Sequence, residues 1–307
     1  MLLETDLLLD RRRLKRRLNL WRGLAVAAAV VALGTVVLPG SGGRFAGGRG
    51  PHVSRVNVTG VISEDRKLLE SVAALAKDRS VSAVIVSIDS PGGSVAGGES
   101  LRAVLMRVAA AKPVVAVMRG TAASAGYMIA LPAARIFARD ATLTGSIGVI
   151  LQTGEVSGLL TKLGLTAEAI TSGPLKDQPS FTRSLTPQGR EYLNGLVADM
   201  YDQFVTMVAE GRHMEAARVR ELADGRAYTG RQAQKLGLVD QIGGEIEARE
   251  WLAKERGVST SIPAIDLKLG GFYDRTIGAA WTGIVGSALS TVGTPGAFAL
   301  WQGGAAN

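Results

Sequence analysis

Ser124 stands in the run Arg119-Gly-Thr-Ala-Ala-Ser-Ala-Gly-Tyr127, between the apolar stretch Val114–Met118 and a stretch of helical character reaching Leu131. Among Ala and Gly at a strand-to-helix turn, its hydroxyl is uncrowded. It also lies at the positive end of a helix dipole, where a developing oxyanion would be stabilised. The usual helper of a nucleophilic serine is missing: the chain has two histidines, His52 and His213, and neither has a promising context. If Ser124 attacks a carbonyl, another base must take its proton. Lys176, in Thr171-Ser-Gly-Pro-Leu-Lys-Asp177, is a candidate in a chain whose positive charge is mostly arginine. A lysine serves as base only where desolvation or a neighbouring cation lowers its pKa, a route closed to arginine. The competing reading is a solvated loop lysine.

Two further runs of small residues accompany the serine. Asp89-Ser-Pro-Gly-Gly93 ends the apolar run Val81–Ile88, and its paired glycines let backbone N–H groups face open space. That suits an oxyanion hole, and equally an ordinary Pro-Gly turn. Thr144-Gly-Ser-Ile-Gly-Val-Ile150 reads as a turn before a strand.

The elements that must position these residues follow from periodicity. Strands are expected at Val53–Ile62, Val81–Ile88, Pro113–Met118, Arg135–Ala138 and Ile147–Leu151. Helices are expected at Glu64–Ala76, Glu99–Ala111 and Ser124–Leu131. Alternating strands and helices give an α/β domain with a largely parallel sheet. After Lys176 the pattern turns helical. Thr186-Pro187 opens a helix to about His213 with an apolar stripe from Leu193 through Val208. Shorter helices are expected at Glu215–Leu222, Arg231–Leu236 and Glu245–Glu255.

Of the net charge of +8, half sits in residues 1–23, where seven basic side chains outnumber three acidic ones. No charged residue lies between Gly23 and Gly43. With Leu18, Leu20 and Trp21, this makes a helix long enough to cross a bilayer. Trp21 would sit at the headgroups, and the arginines before it place the N-terminus in the cytoplasm and the bulk of the chain outside. A cleaved signal peptide is the alternative, but no clear A-x-A site follows Leu38. A nucleic-acid role for the basic arm is set aside because an apolar span follows it. The chain has no cysteine, which removes disulfides and thiolate chemistry.

Asp89–Gly93, Ala122–Tyr127, Leu143–Ile150, Ser172–Asp177 and Tyr228-Thr-Gly230 with Gly237–Asp240 occur in the order found in the signal peptide peptidase A family, which this chain resembles from about Val53 to Leu252. The resemblance implies a ClpP/crotonase-like α/β domain carried on an N-terminal transmembrane helix, in the short, single-copy form. It implies a basic cytoplasmic tail at 1–17, an anchor at 18–40, a Gly-rich linker at 41–52, the peptidase domain at 53–262 and a Gly-rich apolar tail at 263–307. It also implies Ser124 as nucleophile, Lys176 as general base, the N–H groups of Gly93 and Ala125 as the oxyanion hole, and Ser146 as the group orienting the lysine. No cofactor or metal is implied. The implied substrates are apolar peptides, spent signal peptides among them, and the implied assembly is a homo-oligomeric ring in which the lysine reaches a neighbouring subunit's serine. The alternatives are a crotonase-type acyl-CoA enzyme, for which neither the Ser124 nor the Ser146 motif supplies a carboxylate, and a catalytically inactive membrane scaffold.

Overall fold

The computed structural model describes Trp21, Arg22 and residues 50–268. Apart from Trp21 and Arg22, which are helical and exposed, the expected span at 18–40 lies outside these residues, as does the tail from 269 onward. Among the described residues no helix is long and apolar enough to cross a membrane.

Strands and helices alternate through the first half: β1 (His52–Ile62), α1 (Arg66–Leu75), β2 (Val81–Gly93), α2 (Val95–Ala109), β3 (Val114–Ala123), α3 (Ala125–Met128), β4 (Arg135–Ala138) and β5 (Leu143–Gly145). Then follow α4 (Ser157–Lys162), α5 (Pro187–Arg212), α6 (Ala216–Leu222), β6 (Ala227–Thr229), α7 (Gly230–Lys235), β7 (Gln241–Ile242), α8 (Glu245–Arg256) and β8 (Ala264–Asp266). One sheet runs β6-β5-β3-β2-β1-β8, and β4 joins β3 to β7. Every pairing is parallel except β5 with β6.

The unbroken apolar run of β2 has a simple cause: both faces of the sheet are covered. Val84, Val86 and Ile88 face the larger core shared with α1, α2, α3 and α5. Ala83 and Ile85 face a smaller core closed by Ala248 and Leu252 of α8.

Two strands run further than expected, and both extensions bear on the site. The Asp89–Gly93 run does not merely cap β2; it stays paired with β1 as far as Ile62↔Gly93. β3 continues to Ala123, which places Ser124 directly at its end. The helix expected at Ser124–Leu131 shrinks to one turn, so little macrodipole is available and individual N–H groups must do the work. The expected strand at Ile147–Leu151 is absent. β3 is paired to β4 along Val115–Met118 and to β5 along Thr121–Ala123, so no edge remains for it. Ile147 is buried instead, while Ile150 and Leu151 face outward. α2 starts four residues early because Ser94 caps it, its hydroxyl accepting the Gly97 amide at 3.1 Å.

Candidate active site

Ser124 joins β3 to α3 with φ 53° and ψ −121°, a backbone conformation that costs a non-glycine residue about 1–3 kcal/mol. It persists because both sides are tied. The Ser124 amide donates to the Gly145 carbonyl of β5 (2.9 Å), and the Ser124 carbonyl accepts from Tyr127 and Met128 (2.9 and 3.0 Å). The side chain makes no capping hydrogen bond and is partly exposed, so the hydroxyl is available.

The end of β2 lies directly beneath it. A Cβ built on Gly92 would stand 2.8 Å from Ser124 Cβ and 3.2 Å from Ser124 Oγ, so only glycine lets the strand pass under the serine. Gly92 has φ 115°, and its amide is taken by the Ser90 hydroxyl at 3.1 Å. Gly93 differs. Gly93 pairs with Ile62, and the Ile62 carbonyl accepts the next amide, that of Ser94, at 2.9 Å. A Cβ on Gly93 would fall 1.9 Å from the Ile62 carbonyl oxygen. The Ala125 amide, at the first position of α3, has no backbone or side-chain acceptor among the described residues. The structure thus places Ser124 over the Gly92 end of β2 and next to an Ala125 amide that has no acceptor among the described residues.

Ser146 lies next to this turn with φ 47°, but its hydroxyl donates to the Gly225 carbonyl (3.2 Å) and its amide to Arg226 (3.0 Å). In this arrangement it orients the 224–226 loop and touches no amine.

No hydrogen bond joins Lys176 to Ser124 among the described residues. The lysine is exposed, in a turn closed by its own amide on Gly173 (3.1 Å), and its amine makes no hydrogen bond among the described residues. The loop around it is anchored locally. Arg183 hydrogen-bonds Asp177 and holds that carboxyl below the usual carboxylate range. The Gln178 side chain accepts the Thr186 amide and fills the space beside Gly189. Both contacts fall on the first turn of α5, a helix about 39 Å long at 1.5 Å per residue. The far end of α5, at Arg212, is tied to the turn that receives Tyr127.

Neither histidine offers an alternative base. His52 opens β1, at the other end of the strand from Ile62, and His213 closes α5. Tyr127 is the nearest titratable side chain in sequence, but burial pushes its hydroxyl above the ordinary tyrosine range, so it stays a donor. Sequence reasoning gave no role to Ser90 or Tyr127, although both stand inside motifs it quoted. Their contacts depend on which carbonyls lie opposite, which spacing does not reveal.

The match to Peptidase family S49 covers residues 106–259, which takes in Ser124, Ser146 and Lys176. A candidate protease of Synechocystis sp. is 40% identical over 70% of this chain and 78% of its own length. A candidate signal peptide peptidase SppA of Enterococcus faecium is 34% identical over 78% of this chain and 74% of its own. Protease 4 of Salmonella typhi is 38% identical over 54% of this chain and 27% of that longer protein. Among solved structures, the chain is similar to a mutant of the 1510-N membrane-bound stomatin-specific protease (TM-score 0.47, 18% identity, 71% of this chain and 98% of that one). It is also similar to ClpP1 from Listeria monocytogenes (TM-score 0.40, 20% identity, 62% and 91%). The chain belongs to peptidase family S49 and is a serine peptidase.

Proposed function

We propose that this chain is a membrane-anchored endopeptidase of ClpP/crotonase-like fold in which Ser124 attacks the peptide carbonyl and Lys176, supplied by a second copy, takes its proton. The observation that carries the reading is the Ser124 turn itself: a strained, uncapped serine over Gly92, with an Ala125 N–H beside it that has no acceptor among the described residues. In this reading the Gly93 N–H joins that of Ala125, since two donors aimed at one oxyanion are the usual means of stabilising a tetrahedral intermediate. Water then releases the acyl group with the same lysine as base. Ser146 orients the amine once it is in place.

A second copy is invoked for two reasons. The loop of Lys176 and the turn of Ser124 are fastened near opposite ends of α5. The segment carrying the lysine also leaves Ile150, Leu159, Leu163, Leu165, Ile170 and Phe181 exposed, apolar side chains that a partner surface could cover. A homo-oligomeric ring would bury these side chains and deliver the amine together.

The substrates in this reading are extended apolar peptides, cleaved signal peptides among them, met at the outer face of the cytoplasmic membrane. Residues 18–40 anchor the chain, with 1–17 in the cytoplasm, 41–52 as tether, 53–262 as catalytic domain and 263–307 as tail. Support comes from the uncharged run after the arginine cluster and from the relatives named as signal peptide peptidase. A fluorophosphonate probe tests the nucleophile: it should label wild type and not Ser124→Ala. Equal labelling of the two would refute the assignment.

A further inference from the structure

The Gly237-Leu-Val-Asp240 turn stands out in the sequence, yet the proposed chemistry makes no use of it. Buried polar contacts fasten it to the nucleophile turn. Tyr127, three residues after Ser124 and fully buried, donates its hydroxyl to the Leu238 carbonyl at 2.9 Å. The turn bearing that carbonyl is gripped at both ends by Arg212, the last residue of α5. Its Nε donates to the Gly237 carbonyl (2.9 Å), and its two terminal nitrogens reach both oxygens of Asp240 (3.1 and 2.5 Å). Asp240 also accepts the Ile136 amide of β4 (2.7 Å) and returns its own amide to the Ile136 carbonyl (3.0 Å). A bidentate guanidinium–carboxylate pair is directional, and the Arg212 side chain is only 10% exposed.

Ser124 needs such support from outside. α3 has four residues, too few to hold a helical turn unaided. The positive φ of Ser124 survives only where its surroundings over-determine it. On the strand side the Gly145 carbonyl does this. On the helix side the Tyr127 ring and hydroxyl form the deepest anchor, and the height of the Leu238 carbonyl is set by Arg212 and Asp240.

We propose that Tyr127, Arg212 and Asp240 are positioning residues for Ser124: through the Leu238 carbonyl they fix the one-turn helix that aims the serine hydroxyl and the Ala125 N–H. The proposal rests on Ser124 being the nucleophile. It gives the Gly237–Asp240 motif a task in catalysis, and makes α5 the element that ties the lysine loop to the serine turn.

Tyr127→Phe removes one oxygen and keeps the ring. Arg212→Lys keeps the charge but cannot span Gly237 and both oxygens of Asp240. Leu252→Ala, buried in the smaller core that does not include Tyr127, serves as a control that weakens the fold alone. The readouts are the rate of fluorophosphonate labelling at Ser124, kcat and KM on an apolar peptide, and Tm, all rates being taken well below the melting range. Tyr127→Phe and Arg212→Lys should each slow labelling and kcat roughly tenfold with KM unchanged, since small misplacement of a reacting group is costly. The double variant should be no slower than the slower single one, because both act through one carbonyl. Leu252→Ala should lower Tm and leave labelling unchanged. If Tyr127→Phe lowers Tm yet labels and turns over at the wild-type rate, the positioning role is overturned, and this variant decides the matter should Arg212→Lys fail to fold. Absence of labelling in wild type would instead remove Ser124 as nucleophile, a result distinct from equal labelling of wild type and variants.

Discussion

At the scale of single residues, the site depends on what Gly92 and Gly93 lack. Each would clash if given a Cβ, but with different neighbours, so alanine at the two positions should have separable effects. Gly92→Ala pushes on Ser124 Cβ at 2.8 Å and forces alanine to adopt φ 115°. We expect a folded protein, less stable by about 1–3 kcal/mol, with casein cleavage reduced at least about tenfold. Gly93→Ala drives a methyl into the Ile62 carbonyl at 1.9 Å and must part β1 from β2. It should lose more stability than Gly92→Ala in denaturant titration. A Gly92→Ala protein with full activity would contradict the close approach on which the site is built. The serine and both glycines were legible in the sequence, because small residues around a hydroxyl at a strand end leave a compositional mark. What each glycine faces was not legible: Gly92 meets Ser124 and Gly93 meets Ile62, which follows from the register of two strands.

At the scale of elements, α5 and the β1 edge carry the predictions. Thr186 caps α5, its hydroxyl accepting the Gly189 amide at 2.9 Å, so Thr186→Ala should cost about 1 kcal/mol in urea unfolding. At the sheet edge, Asp266 of β8 is held below the usual carboxylate range by hydrogen bonds from Arg55 and Asn57. A carboxyl depressed in the folded state contributes stability above its unfolded pKa and loses it as pH falls through the folded one. Wild type should therefore exceed Asp266→Asn in stability near pH 7, and the gap should close toward about pH 3. A gap that widens in acid would reverse the sign. The long helices were legible from their stripes. The three-residue strands β5, β6 and β8 were not, since so few residues show no period and only the neighbouring edge makes them strands. The stripe of α5 was legible too, but not its division. Phe204, Val205 and Val208 enter the core, whereas Leu196 remains exposed in the single chain.

At the scale of the whole molecule, the described chain presents a strained serine turn and an exposed lysine that makes no hydrogen bond to it. The segment between Ile150 and Phe181 has no core of its own: α4 buries none of its residues, and Ile170 is 98% exposed. Ile170→Asp or Leu163→Asp should leave Tm unchanged where the isolated chain is concerned, because neither side chain is packed within it. Each should shift the mass seen by light scattering toward the monomer and abolish peptide cleavage in parallel. Cleavage retained by a monomeric variant would show the site to be complete in one chain. The most direct measurement is activity of co-expressed Ser124→Ala and Lys176→Ala chains, each inactive alone. A site shared between copies predicts that the mixture cleaves casein, since some junctions then pair an intact serine with an intact lysine. A mixed assembly containing both chains and showing no cleavage would contradict it.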